Sequence, residues 1–446
     1  MKSLHFSGTT RLILLFIFLS ITGAFLLQLP CVYKGQNVVP FIDALFTAVS
    51  AVCVTGLSTV DMNIYTNFGF LVILILIELG GLGIITFLSI FISAPGKRVS
   101  LVNRRVVKQF SIDELENNPR KIIKNIIFYT LSIQFAGFLL LIPLLKSHSI
   151  ENYIFDALFL SVSSFCNAGF SPYSDSLIQF DNAIALNVVI SGLIILGGIG
   201  FIVINNIIQV KKRIKKRTSM HTKIVLISTA ILIISGFLYY FTVEFNHAFK
   251  EFSLCKKVSA AFFQAVTPRT CGFESVAQSD FSRTSSLFTL MLMFIGGSPA
   301  SIAGGIKTTT FFIAIWYVFR GNEKTGTVQF DNRTISKETI NKSIIIIIKS
   351  VIIIFLGVFF LTITEKSRLV TNTISMFDLA FETVSAFGTV GLSQGITANM
   401  SFWGKIVLII TMFIGRTALA TMMIILPGII KKRQFIEYPE EEVIVG

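Results

Sequence analysis

Charge is what this chain has least of. Of its 446 residues only 14% are Asp, Glu, Lys or Arg, where soluble domains carry roughly 25%. That shortage, with 53% hydrophobic residues and a mean hydropathy of +0.76, excludes an ordinary soluble globule and points to a chain embedded in a bilayer. Cysteine is scarce as well. The five Cys form no CxxC pair, which argues against a disulfide framework and against a thiolate metal site. Cys53, Cys166 and Cys271 read as small fillers, and Cys31 and Cys255 lie near span ends. The four histidines His5, His148, His221 and His247 are scattered, so no transition-metal cluster is expected. HExxH, GxSxG, GxxxxGK[ST] and GxGxxG are all missing, which speaks against an enzyme and leaves ATP or NAD to a partner chain. The net charge of +14 would suit nucleic acid, but no basic patch interleaved with aromatics is visible.

What is present is one stretch in four copies, which is the first thing to seek in any sequence. Residues 43–61, 156–174, 259–277 and 378–396 align without gaps on Gly56, Gly169, Gly272 and Gly391. Ten residues earlier stand Phe46, Phe159, Phe262 and Phe381, and thirteen earlier Asp43, Asp156, Ser259 and Asp378. Each copy joins a short amphipathic run, too short to span a bilayer, to a glycine-containing piece rich in Thr, Ser, Asn and Cys. Irregular backbone survives in a membrane only when buried in protein or lining a water-filled cavity. A half-helix followed by glycine and inward carbonyls is how a cation filter is built, and glycine permits the backbone angles this needs. The carbonyl positions for a dehydrated cation are therefore Val54, Thr55, Gly56; Asn167, Ala168, Gly169; Thr270, Cys271, Gly272; and Thr389, Val390, Gly391. The three Asp are read as pore-helix caps, with a direct pull on cations as the alternative. Arg269, close to Gly272, is expected to be neutralised in an outer ion pair.

Apolar runs flank each copy: 12–29 and 67–93, 122–145 and 184–210, 223–243 and 286–319, 344–364 and 402–430. The expected fold is all-α: eight transmembrane helices and four re-entrant pore loops around one pseudo-fourfold pore. The repeats run 1–94, 95–210, 211–319 and 320–446. The apolar run near the N-terminus is read as a retained helix rather than a signal peptide. Lys97, Arg98, Arg104, Arg105, Lys108, Arg120, Lys121 and Lys124 lie between the first two repeats, KKRIKKR (211–217) between the next two, Arg320, Lys324, Arg333, Lys337 and Lys342 before the fourth, and Lys431, Lys432 and Arg433 after it. The positive-inside rule puts all of these, and both termini, in the cytoplasm. Glu440, Glu441 and Glu442 read as a solvated tail, with a partner contact as the alternative.

The second helices repeat a small-residue patch at Gly80, Gly197, Gly296 and Gly415. In the first two, close helix packing suffices as an explanation. Repeat three goes further: GGSPASIAGGIKTTT (296–310) is a poor helix interior. Gly296, Gly297, Ser298, Gly304 and Gly305 are expected to form a flexible loop below the filter, held by Lys307, with a kinked helix as the alternative. Arg416 stands in the patch of repeat four. An intramembrane arginine is a functional candidate, either an electrostatic barrier beside that loop or the buried partner of an acid such as Glu78.

These residues resemble the Ktr/Trk/HKT superfamily of cation transporters over nearly the whole chain, and eight spans look most like its bacterial KtrB-type subunits. The resemblance implies potassium uptake, often sodium-stimulated, across a bacterial plasma membrane. It implies a homodimer with one pore per protomer, on which a cytosolic ring of nucleotide-binding, KtrA-type regulators docks. It implies that 296–310 is the gate and Arg416 its neighbour. Glycine at all four filter positions resembles the potassium-selective members, while Arg269 and Cys271 make the third loop less typical. A sodium-selective or sodium-coupled carrier working by alternating access is the competing reading.

Overall fold

The computed structural model describes residues 8–35, 39–93, 119–214, 217–322 and 325–425. The basic residues from Lys97 to Lys108, the segment 431–433 and Glu440, Glu441 and Glu442 lie outside the described residues, as does His5. Helices α1 (Gly8–Leu26), α2 (Phe41–Cys53) and α3 (Asn67–Ser93) form the first group, and α4 (Pro119–Ser147), α5 (Tyr153–Cys166), α6 (Ile184–Ile199) and α7 (Phe201–Lys211) the second. The third comprises α8 (Met220–Val243), α9 (Leu254–Val266), α10 (Arg283–Phe294) and α11 (Thr308–Arg320). A two-stranded hairpin of β1 (Val328–Phe330) and β2 (Arg333–Ile335) follows, then α12 (Lys337–Thr364), α13 (Lys366–Val370), α14 (Met376–Gly388) and α15 (Phe402–Ile425).

Three helices among the described residues are long and apolar enough to cross a bilayer unaided, covering Lys124–Ser147, Met220–Val243 and Lys337–Thr364. Their outer faces are bare apolar surface, including Phe128, Ile231 and Phe355, as lipid-facing helices require. The short helices have the opposite burial. From Ala48 to Cys53 every residue of α2 is buried. Thirteen residues rise only about 20 Å, short of a hydrocarbon core of about 30 Å. Such a helix must end inside the protein, wrapped by the longer ones.

One departure from the sequence reading concerns the second helix of repeat two. The run 184–210 is not one helix: α6 and α7 meet at an angle of 92°. Gly200 sits at the break with φ +94°, and a Cβ there would run into the Pro299 carbonyl. The run 286–319 is divided into α10 and α11, with the small-residue segment between them in extended and turn conformations. The break expected in repeat three is thus a loop rather than a kink. The hairpin between α11 and α12 had no counterpart in the sequence reading.

Candidate functional site

The four short helices α2, α5, α9 and α14 deliver four loops whose backbones alternate in handedness. Val54 (φ 57°), Asn167 (φ 56°), Thr270 (φ 73°) and Thr389 (φ 49°) are left-handed. One residue of ordinary φ follows, then Gly56 (φ 95°), Gly169 (φ 69°), Gly272 (φ 85°) and Gly391 (φ 100°). Positive φ strains any residue but glycine, so the left-handed Val, Asn and Thr need support. Hydrogen bonds from the helix ends supply it. The amides of Thr55, Ala168 and Val390 donate to the carbonyls of Ser50, Ser163 and Ser385 at 2.8, 2.8 and 2.9 Å. The Ser50 and Ser385 hydroxyls each accept from the glycine amide of their loop at 3.1 Å. The Ser163 hydroxyl donates to the Phe170 carbonyl at 2.7 Å, and Thr267 donates to the Phe273 carbonyl at 2.6 Å.

The four glycines close on one another in chain order. A Cβ built on Gly56 would strike the carbonyl of Ala168, one on Gly169 that of Cys271, one on Gly272 that of Val390, and one on Gly391 that of Thr55. Each such Cβ would also crowd the Cα of the next glycine. Thr55–Gly56, Ala168–Gly169, Cys271–Gly272 and Val390–Gly391 are thus gathered in one ring, with Val54, Asn167, Thr270 and Thr389 next to them in the chain. The Thr55, Thr270 and Thr389 hydroxyls are buried there, with no hydrogen-bond partner among the described residues. Backbone carbonyls and bare hydroxyls are the donor set of a dehydrated alkali cation, hard and uncharged.

Repeat three corrects the gapless alignment. The large side chains buried in the equivalent place are Phe46, Phe159, Phe263 and Phe381, while Phe262 is only partly buried. Thr267, not Val266, takes the anchoring role of Ser50, Ser163 and Ser385: its carbonyl accepts from Cys271 at 3.0 Å and from Gly272 at 3.3 Å. The helix-to-glycine turn of repeat three is therefore one residue shorter. Arg269 lies in that turn, 7% exposed, and among the described residues its guanidinium makes one polar contact, a long bond to the Thr229 hydroxyl at 3.5 Å. No ion pair to it exists among the described residues, contrary to the expected outer pair.

The three aspartates stand in the first helical turns but only one caps. Asp378 forms a capping box with Ser375, accepting from its amide at 2.8 Å. Asp43 instead pairs with Lys405 of α15 at 2.5 Å, and Asp156 accepts from the Tyr173 hydroxyl at 2.9 Å. Neither Pro40 nor Asn152, at the N-caps of α2 and α5, bonds the helix through its side chain. Asp43 and Asp156 therefore fasten the short helices to their surroundings.

Below the ring lies the segment between α10 and α11. Gly296 donates to the Ile306 carbonyl at 2.9 Å, and Thr308 to the Gly297 carbonyl at 3.1 Å, folding the segment on itself. Lys307 donates to the Ala303 carbonyl at 2.6 Å. The α6–α7 break grips one side: Ser298 donates to the Gly198 carbonyl at 3.0 Å, and Phe201 to the Ala300 carbonyl at 3.1 Å. A Cβ on Gly304 would strike the Thr389 hydroxyl, and one on Gly305 would approach the Gly388 carbonyl. Arg416, buried in α15, donates to the Ile302 carbonyl and, at 3.0 Å, to the Gly80 carbonyl of α3. Glu78 is not its partner; that carboxylate accepts from Gln134 and from the Cys166 thiol. The remaining patch glycines permit close packing: a Cβ on Gly80, Gly197 or Gly415 would strike the carbonyl of Val52, Phe165 or Phe387, each the same distance before its loop glycine. Gly296 faces the Gly304 carbonyl instead.

Sequence reasoning missed the hydroxyl anchors and the Gly198–Phe201 clasp. The anchors had a signal, a Ser at one fixed spacing before Gly56, Gly169 and Gly391. It also missed Glu382, fully buried, which accepts from the Ser393 hydroxyl at 2.5 Å, the Gln394 amide at 3.2 Å and the Thr397 hydroxyl at 2.7 Å, tying down the segment after Gly391.

Apolar helices around buried half-length helices define a multi-pass membrane protein. The chain belongs to the TrkH family of cation transport proteins, which matches residues 8–432. It is 37% identical to the Ktr system potassium uptake protein B of Bacillus subtilis, covering 100% of this chain and 98% of that one. It is 35% identical to the potassium/sodium uptake protein NtpJ of Enterococcus hirae, over 97% and 95% of the two chains. Among solved structures, the potassium transporter TrkH of Vibrio parahaemolyticus matches with a TM-score of 0.75 at 18% identity, covering 95% of this chain and 86% of that one. At that identity the likeness is one of fold.

Proposed function

We propose that the chain is a potassium uptake pore. The observation that carries this reading is the closed order of the four glycines, each against the next loop's carbonyl. Carbonyls of the twelve loop residues replace the hydration shell of the ion, and the unpartnered Thr55, Thr270 and Thr389 hydroxyls add oxygens at the same level. Buried Ser and Thr anchors hold the ring at one size. A relative of near-equal length named for potassium uptake supports the choice of ion.

The segment 296–310 is the gate in this reading, and Arg416 keeps it shut. Two of its guanidinium nitrogens hold the Ile302 and Gly80 carbonyls, while Nε has no partner among the described residues. A unit charge acting over roughly 8 Å through an effective dielectric of about 20 opposes a passing cation by about 2 kcal/mol. The guanidinium thus acts as both clamp and barrier. Opening requires the loop to leave its bonds to Gly198, Phe201 and Arg416. A homodimer under a cytosolic nucleotide-binding ring, with ATP, ADP or NAD bound there rather than on this chain, would supply the control. Both termini then lie in the cytoplasm of a bacterial cell.

The test is uptake into potassium-transport-deficient bacteria at low external potassium, with and without sodium and with and without a co-expressed nucleotide-binding regulator. Rescue that needs the regulator supports the gated potassium pore. Membrane-inserted protein that gives no rescue under any condition overturns it. The name of the Enterococcus relative favours sodium as the second ion, and sodium uptake without potassium rescue would establish the competing carrier reading.

A further inference from the structure

Away from the ring, at the N-terminal end of α8, a cavity of about 230 Å³ is lined by Arg217, Thr218, Met220, Lys223, Asp331, Asn332 and Arg333. Three cations and one carboxylate face it. α8 is one of the membrane-spanning helices, so the cavity lies at the boundary where that span leaves the bilayer, on the face that carries the basic linkers. We propose that it binds the phosphate of an anionic phospholipid from that leaflet.

The cations come from two separate segments, and both are held. Arg217 ends the linker that enters α8, whose N-cap Ser219 accepts from the Thr222 amide at 3.2 Å and donates its own amide to Asn206 of α7 at 3.1 Å. Arg333 opens β2. The hairpin that carries it is anchored to α11: Phe330 packs edge-on against Phe312 and Trp316, which stack on each other, and the Trp316 indole donates to the Gln329 carbonyl at 3.0 Å. Val328 and Ile335 are buried with Met220 and Trp316 in one cluster. Arg333 is therefore delivered by a rigid support. Lys223 lies one helical turn into α8, where helix dipole and cation charge both favour an anion.

Asp331 shows what the site lacks. It pairs with Lys223 at 2.6 Å, a carboxylate from the hairpin tip filling the role of an anion. Among the described residues it answers one of the three cations and leaves Arg217 and Arg333 to a second negative group. The neighbouring surface points to a lipid rather than a free ion. On the same helix as Trp316, Val318 and Phe319 are 75% and 78% exposed, apolar side chains suited to acyl chains. Indole rings collect at headgroup depth, and basic pockets at the ends of spans take anionic headgroups. The proposal does not depend on the pore reading.

The test is thermal unfolding of the full chain in detergent, titrated with phosphatidylglycerol, with phosphatidylcholine, and with inorganic phosphate. Phosphatidylglycerol should raise Tm, and the other two should not. Arg217→Gln combined with Arg333→Gln should weaken the apparent affinity about thirty-fold. Lys211→Gln with Lys212→Gln, on the same linker but outside the cavity, should leave it within about two-fold. Asp331→Asn keeps every cation and removes the competing carboxylate, so it should tighten binding even if the double arginine variant does not fold. An equal Tm rise in the double arginine variant, an equal loss in the lysine pair, or no tightening by Asp331→Asn overturns the site. An equal rise with phosphatidylcholine, or with inorganic phosphate alone, overturns the anionic lipid as its occupant.

Discussion

Gly391 faces Thr55 so closely that a Cβ on it would strike the Thr55 carbonyl oxygen, joining the last loop of the chain to the first. This contact turns four sequential loops into a closed ring. Without it the loops would be a row with two ends; in the proposed pore an ion would then meet oxygens from one side only.

The ring leaves no room for a side chain at Gly56. With φ +95° and the Ala168 carbonyl in the way, Gly56→Ser must strain its own loop and push the next one outward. Positive φ alone costs a non-glycine residue about 1–3 kcal/mol. The expected result is protein that still inserts but discriminates potassium from sodium at least ten-fold less well, read by competition of the two ions in tracer uptake. Unchanged selectivity would remove this loop from the ion path.

Removing the guanidinium of Arg416 takes away its bonds to the Ile302 carbonyl of the loop and the Gly80 carbonyl of α3, together with the charge below the ring. Arg416→Ala should raise basal flux in proteoliposomes by about ten-fold or more, following from the barrier of about 2 kcal/mol. Arg416→Lys keeps the charge and should fall between the two. Wild-type flux in Arg416→Ala with intact folding would sink the clamp.

The hydroxyl anchors can be tested without touching the ring itself. Ser385→Ala deletes the acceptor of the Gly391 amide, at a cost of about 1 kcal/mol. A loosened ring should admit more sodium while potassium uptake falls less than three-fold. Ser50→Ala, which removes the same bond in the first loop, should behave alike. Opposite effects of the two would separate the loops functionally.

The α6–α7 break makes a separate prediction. Gly200→Ala meets both a φ of +94° and the Pro299 carbonyl, so it should loosen the clasp on the segment 296–310. Faster exchange of the Phe201 amide, seen by hydrogen–deuterium exchange, should accompany raised basal flux. Raised flux with unchanged exchange at Phe201 would place the effect elsewhere.

Glu244, just beyond the end of α8, gives a pH dependence. Burial pushes its carboxyl up, but hydrogen bonds from Ser282, Ser285 and Ala248 outweigh that and hold it below its ordinary 4.5. The stabilisation is complete above that unfolded value and is lost as pH falls through the lower, folded one. Glu244→Gln should therefore cost about 1–2 kcal/mol near neutrality and progressively less in acid. A cost independent of pH would mean that the charge contributes nothing.

Much of the site was legible because it is local. A glycine at fixed spacing after a short apolar run, or a Ser one and a half turns before it, lies within one segment of chain. The one-residue slip in repeat three was missed because aligning on Gly272 and on Phe262 gave a plausible register. Only burial distinguishes Phe263, fully enclosed, from Phe262 beside it. The hairpin escaped because each strand is only three residues long and is held by Trp316 and Phe312 rather than by its own pattern.

The sequence by itself determined a membrane protein with four copies of one loop, the residues that line each loop, and the weak segment in the second helix of repeat three. Hydropathy, glycine placement and charge between spans suffice for that, since each acts over a few residues. Only the tertiary structure decided which loop meets which, that Arg416 holds carbonyls of Ile302 and Gly80 rather than Glu78, and that Gly200 breaks its helix to grip the segment beneath the ring. Those are pairings between groups far apart in the chain, and backbone carbonyls, which every residue carries, leave no mark in a sequence to say which neighbour they will meet.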